Sequence, residues 1–252
     1  MILDVASITD KGPCRDINQD SIFEYHDENM GIFVVADGMG GHSEGEKASS
    51  DIVEEMKLWW ESTRNMREDC SLEKIVEDCV GSVKFINKRI FDEYKKKRAI
   101  GGSTLVVLIV IGDEYATVSV GDSRAYKFSN DELMQITEDD VWENLPDVVR
   151  NLSQSDILND ERYGRLTEAV GAYNDVNVRT KKGMLLAPSS FMLCSDGIYK
   201  YTSHEELEKA FSGPSFVSPS TIMKRIRKKV IKGGAGDNYS CIICKVVPTE
   251  KN

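Results

Sequence analysis

Ile32-Phe33-Val34-Val35-Ala36-Asp37-Gly38-Met39-Gly40-Gly41-His42 decides how this chain is read. A strand-like apolar run meets an aspartate and then a glycine-rich turn. The pattern recurs. Ala116-Thr117-Val118-Ser119-Val120 leads into Gly121-Asp122-Ser123-Arg124, and Phe191-Met192-Leu193-Cys194 leads into Ser195-Asp196-Gly197. Gly236-Asp237-Asn238 instead precedes such a run, Tyr239-Ser240-Cys241-Ile242-Ile243-Cys244. A single Asp-Gly after a strand is usually a turn, because both residues tolerate the dihedrals required. Four aspartates so placed point further, to carboxylates gathered at the ends of buried strands. Glycines beside them let backbone come close. Oxygen donors of this kind suit a hard divalent cation.

Arg15-Asp16-Ile17-Asn18-Gln19-Asp20 supplies a guanidinium near the N-terminus. Arginine presents a planar fork of donors that matches phosphate oxygens in pairs, which lysine cannot reproduce. Beside candidate metal ligands, Arg15 suggests a phosphate ester held over a metal centre.

At these residues the chain resembles the metal-dependent protein phosphatase family, also called protein phosphatase type 2C, and its bacterial branch in particular. The matching stretches run in order along almost the whole sequence. They are Thr9 to Gly12, Arg15 to Asp20, Val35 to His42, Gly45-Glu46, Gly102-Ser103-Thr104, Val120 to Tyr126, Leu166 to Gly171, Ser195-Asp196-Gly197 and Asp237-Asn238. The resemblance implies a Mn2+- or Mg2+-dependent phosphoserine/phosphothreonine phosphatase acting on phosphorylated proteins, the substrates of a serine/threonine kinase. It makes Asp37 the bridging carboxylate between two ions, with the Gly38 carbonyl as a further ligand. Asp196 and Asp237 hold the other ion, and Asp122 helps hold a third, weaker one. Asp20 orients metal-bound water or binds directly, and Arg15 holds the phosphoryl group. Two such ions about 3.5–4 Å apart lower the pKa of a shared water toward ~7. That water attacks phosphorus while Arg15 and the ions neutralise the phosphoryl oxygens.

Three departures from the family pattern stand out. Gln19 occupies a position that is glutamate in eukaryotic members, so the site loses a charge and metal affinity is expected to fall. Met39 follows the bridging Asp-Gly where those members carry a proton-donating histidine, and a thioether donates no proton. His42, three residues on, is the candidate substitute; a glycine-loop histidine bonded to backbone and metal-bound water are the alternatives. Asp140-Val141 replaces a His-Ser pair of bacterial relatives, at the start of a region, 140–165, expected to form a flap that affects substrate choice more than chemistry.

Composition limits the other possibilities. A chain of 252 residues, 40% hydrophobic, can bury a full core. With no linker or repeat it is expected to form one domain, 1–252. The longest apolar run, Leu105 to Ile111, is too short to span a bilayer. The first residues show no signal peptide, so membrane insertion is not expected and a cytoplasmic location is. With 32 basic against 42 acidic residues, net −10, a nucleic-acid partner is disfavoured. Lys95 to Arg98 and Lys224 to Lys229 are basic but fall late in helical patterns, where cations complement the helix dipole, and read as solvated helix faces ahead of a substrate-docking patch. Six cysteines show no disulfide framework. Cys241 and Cys244 fall on opposite faces of a strand, so they read as buried thiols rather than a metal pair. No arginine stands six positions after any cysteine, which excludes the thiolate phosphatase arrangement. Gly45-Glu46 breaks the spacing of a nucleotide phosphate loop. His26 and His204 read as surface, and Trp59-Trp60 as core or interface packing.

Strands are expected near 3–8, 21–25, 31–36, 104–111, 115–120, 124–128, 132–136, 191–195 and 239–246. Long helices fit 44–65 and 71–97, a capping box opens a short helix at 202–206, and a last helix runs from Ser220 to Ile231. Many antiparallel strands around adjacent helices make an α+β sandwich. The resemblance sharpens this to a four-layer αββα arrangement, two central mostly antiparallel sheets flanked by helices, with the metals in the cleft at one end. Two other functions stay open: a catalytically weak binding or regulatory module, which retention of Asp37, Asp196 and Asp237 disfavours, and a phosphatase for small metabolites.

Overall fold

The apolar run quoted first becomes the middle of strand β3 (Met30–Gly40), buried on both faces. Ile32 and Val34 pack among helix residues, while Phe33 and Val35 face the opposite way into a second apolar layer. The same alternation organises β5 (Leu105–Ile111), β10 (Ser189–Cys194) and β11 (Tyr239–Val247). A strand that is apolar throughout buries both sides only when it lies inside a stack of layers.

The computed structural model describes residues 2–41, 44–63, 67, 70–213 and 217–247. Within them the order of one sheet is β1 (Ile2–Asp10), β11, β10, β7 (Arg124–Ser129), β8 (Glu132–Gln135). The other runs β2 (Asp20–His26), β3, β5, β6 (Glu114–Val120), β9 (Arg179–Met184), with β4 (Gly101–Ser103) also on β3. The pairings between strands are antiparallel.

The long helices α1 (Glu44–Ser62) and α2 (Leu72–Lys97) cover the second sheet through Ile52, Met56, Trp60, Ile75, Val83 and Ile90. Short helices α3 (Pro146–Asn151) and α4 (Gln154–Asn159) lie in the connection between β8 and β9. Helices α5 (Asp196–Tyr199), α6 (His204–Phe211) and α7 (Pro219–Lys232) cover the first sheet. Between the sheets lie Phe33, Val106, Leu108, Phe191, Leu193 and Ile242. The result is helix, sheet, sheet, helix.

Local signals place the helix ends. Ser203 accepts from the Glu206 N–H while Glu206 returns a bond, the capping box expected at 202–206. Ser71 caps α2 by accepting from Lys74 N, and Arg98 closes it in the left-handed region. Helix α1 ends at Ser62, short of the expected 65, which lies outside the described residues. Strands β4 and β9 were not anticipated. Cys241 and Cys244 fall in different apolar layers, as strand geometry requires. His26, His204 and both basic stretches lie largely on the surface, with Ile226 turned inward. Among the described residues no helix is long and apolar enough to cross a membrane.

Candidate metal centre

Antiparallel pairing brings the predicted aspartates to one end of the two sheets. Asp20 starts β2 directly opposite Asp37 near the end of β3. Asp196 opens α5 just beyond β10, Asp237 lies just before β11, and Asp122 sits in the turn after β6. Arg15, Asp37, Gly38, Asp122, Asp196 and Asp237 line one cleft of about 550 Å³.

The flanking motif residues fix each carboxylate. The Asp37 N–H donates to Thr104 Oγ1 at 3.0 Å, and its carbonyl accepts Ser103 Oγ at 2.9 Å and Thr104 N at 2.9 Å. Gly38 is required by space, since a Cβ there would lie 2.0 Å from the Gly45 carbonyl oxygen. Gly197 is likewise forced, because a Cβ would lie 1.8 Å from the Asn238 carbonyl oxygen. Asn238 stitches the N-terminal loop down. Its Oδ1 accepts Gln19 N at 2.9 Å, and its Nδ2 donates to the Lys11 and Ile17 carbonyls, each at 2.9 Å.

Asp20 differs from the others, because it is paired behind Asp37 rather than placed on the cleft wall. Ser195 Oγ donates to its Oδ2 at 2.7 Å. Its Oδ1 is buried with no partner, the nearby Ser240 hydroxyl donating to Thr9 Oγ1 instead. Burial, with the charges of Asp196 and Asp237, pushes its pKa up to about 7. Burial and then Asp20, Asp196, Asp122 and Asp237 hold Asp37 well above the usual carboxylate range. Burial and Asp196 raise Asp122 to about 6.

Cations meet this charge at two points. Arg15 Nη2 donates to Asp237 Oδ2 at 2.8 Å, its side chain half-exposed. Lys200 Nζ donates to Asp196 Oδ2. Burial works against the Lys200 ammonium, but Asp196, Asp122 and Asp37 outweigh it and raise its pKa. Among the described residues no three His, Cys, Asp or Glu side chains are placed to grip an ion as they stand. Three of the carboxylates already have partners: Asp237 faces Arg15, Asp196 faces Lys200, and Asp122 Oδ2 accepts Tyr199 OH at 3.0 Å. The orphaned Asp20 oxygen and the crowded like charges nonetheless fit a divalent cation. The donors are oxygens, which favour Mg2+ or Mn2+ over zinc.

Region 140–165 is clipped at its base. Val141 bridges Leu166, Trp142 N donates to the Arg165 carbonyl at 2.8 Å, and Thr167 N donates to the Asp140 carbonyl at 2.8 Å. The Arg162 guanidinium stacks 4.2 Å from the Trp142 ring. Gly164, Arg165 and Leu166 reach the cleft wall. Met39 lines the cleft, whereas His42 lies outside the described residues.

Lys200, Tyr199 and Arg124 were not singled out from the sequence as site residues. Lys200 carried one usable signal: it stands four residues after Asp196 at a helix start, the spacing of facing side chains. Arg124 forks onto Asp139 at 2.7–3.1 Å and lies 3.5 Å from the Tyr199 ring, which fixes the hydroxyl against Asp122.

Residues 13–226 match the family model described as Protein phosphatase 2C. The chain is 29% identical over 250 residues to "Serine/threonine phosphatase stp" of Listeria monocytogenes, covering 96% of each. The solved serine/threonine phosphatase of S. agalactiae superposes with a TM-score of 0.84 at 21% identity, over 96% of this chain and 99% of that one. The catalytic domain of the serine/threonine protein phosphatase PstP, in complex with two manganese ions, gives 0.78 at 24% identity, over 97% and 98%. With its metal-suited cleft at one end of a four-layer sandwich, this chain belongs to the protein phosphatase 2C family.

Proposed function

We propose that this chain is a metal-dependent serine/threonine protein phosphatase, one catalytic domain over residues 1–252, hydrolysing phosphoserine and phosphothreonine in proteins. The observation that carries this reading is the convergence of Asp37, Asp122, Asp196 and Asp237 with Arg15 on one cleft. Asp37, the Gly38 carbonyl, Asp196 and Asp237 would hold two ions, and the two manganese ions in the PstP complex favour that number. Mn2+ and Mg2+ suit the same oxygen donors. When bound, the ions supply Lewis-acid activation of water and neutralise phosphoryl charge.

The chain's own residues do the rest. Arg15 stands at the mouth with one donor committed to Asp237, so its remaining donors can fork onto phosphate oxygens. Asp20 receives the Ser195 hydroxyl behind Asp37 and ties the ends of β2 and β10 together. Ser103 and Thr104 hold Asp37 from the backbone side, so its carboxylate does not drift. Met39 has no proton to give the departing serine or threonine oxygen, so His42 is the candidate side chain for that task and metal-bound water the alternative.

The flap, 140–165, forms part of the cleft rim through Gly164 and Arg165, and exposed Val149, Leu158 and Tyr163 offer it apolar contact for a peptide. The substrate in this reading is a protein phosphorylated by a serine/threonine kinase in the cytoplasm; the net charge of −10 disfavours a nucleic-acid partner. Hydrolysis of p-nitrophenyl phosphate with Mn2+, abolished by chelator, and preference for phosphopeptides over sugar phosphates test this reading. No metal-dependent turnover would favour a silent binding module, and a sugar-phosphate preference a metabolite phosphatase.

A further inference from the structure

Lys200 sits where the charge of the cleft most needs a cation. It follows the last residue of α5, four positions after Asp196, and lines the same cleft as Asp37, Asp122 and Asp237. Its Nζ donates to Asp196 Oδ2, and its charge also acts on Asp122 and Asp37. Of the other cations on the cleft wall, Arg15 is committed to Asp237, and Arg165 belongs to the base of the flap.

Asp122 is prepared from the other side. It is 5% exposed, and Tyr199 OH donates to its Oδ2 at 3.0 Å and its carbonyl at 3.1 Å. The Tyr199 ring cannot easily turn away, because the Arg124 guanidinium lies 3.5 Å from it and is itself forked onto Asp139. One oxygen of Asp122 and one of Asp196 therefore already accept protein donors.

We propose that the Lys200 ammonium takes the place of a third divalent ion beside Asp122 and Asp196, so that this chain works with two ions and one tethered cation. The inference rests on the two-ion reading of Asp37, Asp196 and Asp237. An ammonium on a covalent stem does not dissociate from the cleft as a weakly held ion does, and a lysine side chain carries its charge at neutral pH. A divalent ion approaching Asp122 would meet a like charge and hydrogen-bonded acceptors. Repulsion between a divalent ion and an ammonium a few ångströms apart in a partly buried cleft lowers the affinity of a weak ion by about a hundredfold or more, enough to exclude it.

Counting Mn2+ bound per chain, by calorimetric titration and by electron paramagnetic resonance of free Mn2+, tests this. The native chain and Lys200→Arg are expected to bind two ions and no more at millimolar Mn2+. Lys200→Met, which keeps the stem and loses the charge, is expected to gain a third, weaker ion. Adding Asp122→Asn to Lys200→Met is expected to remove it again. A third ion on the native chain overturns the proposal without any variant having to fold. So does a Lys200→Met protein, folded by circular dichroism, that still binds two, or a third ion that survives Asp122→Asn. A native chain that binds no Mn2+ overturns the metal centre itself, and this inference with it.

Discussion

The Asp140 carboxylate accepts the Gly121 N–H at 3.0 Å, and the Asp140 N–H donates back to the Gly121 carbonyl at 3.0 Å. The base of region 140–165 is thereby clipped to the turn that presents Asp122. The other carboxylate oxygen takes Arg179 Nε from β9 at 2.6 Å, and Asp140 is 3% exposed. Asp140→Ala strands a buried N–H and removes one of the two carboxylates that Arg179 pairs with, leaving Glu138. A cost of about 2–3 kcal/mol is expected, a fall in Tm of roughly 5–10 °C. Asp140→Asn keeps an acceptor and should lose less. Thermal unfolding indistinguishable from the native chain for Asp140→Ala would contradict the clip.

Gln19 lines the cleft as an amide where eukaryotic members of the family carry a carboxylate. Gln19→Glu adds a negative charge near the ions. The Mn2+ concentration for half-maximal activity is expected to fall about three- to tenfold, the effect of one charge at partly screened range. An unchanged half-saturation would mean that residue 19 does not feel the ions.

Met39 stands on the cleft wall and has no proton to give, so His42 and metal-bound water are the two candidate donors to the leaving oxygen. With an alkyl phosphate, whose leaving group needs a proton, His42→Ala should lose about 10²-fold in kcat. With p-nitrophenyl phosphate, whose leaving group does not, the loss should be small. An equal alkyl phosphate rate in both proteins removes His42 from the mechanism.

Asp10 gives a pH signature away from the cleft. The Gly12 N–H at 2.9 Å, helped by Tyr239 OH at 2.9 Å and by Arg227, holds its carboxyl below the usual range against the opposing effect of burial. A folded-state pKa below the unfolded ~3.9 means that ionised Asp10 stabilises the fold at neutral pH, and that this is lost as pH falls through the folded value. Asp10→Asn should be less stable at pH 7 by a few tenths to about 1 kcal/mol. Denaturant unfolding should show that gap closing below about pH 4. A gap constant down to pH 2.5 would show that charge is not its source.

Much of this was legible because the site and the core share one code. Ile32 to Ala36 announced a strand and Asp37-Gly38 its functional end, since a buried strand and the close approach of Gly38 to Gly45 each restrict residue type severely. The strand β9, Arg-Thr-Lys-Lys-Gly-Met, was not legible. It is an edge strand facing largely solvent, and lysine-rich edges carry no apolar alternation. Gly101-Gly102-Ser103 is too short and too small in side chain to declare itself as β4. Helices α3 and α4 span six residues each, less than two turns, so no periodicity could accumulate. Lys200 escaped because an exposed lysine at the end of a short helix looks like any other. Its meaning comes from Asp122, brought beside it by a strand more than seventy residues earlier.

Anomalous scattering at the manganese edge, from crystals of the native chain grown with Mn2+, tests the central claim most directly. Two peaks enclosed by Asp37, Asp196 and Asp237, both absent in Asp37→Asn, are predicted. A well-ordered cleft with no manganese peak among those three carboxylates would contradict the account.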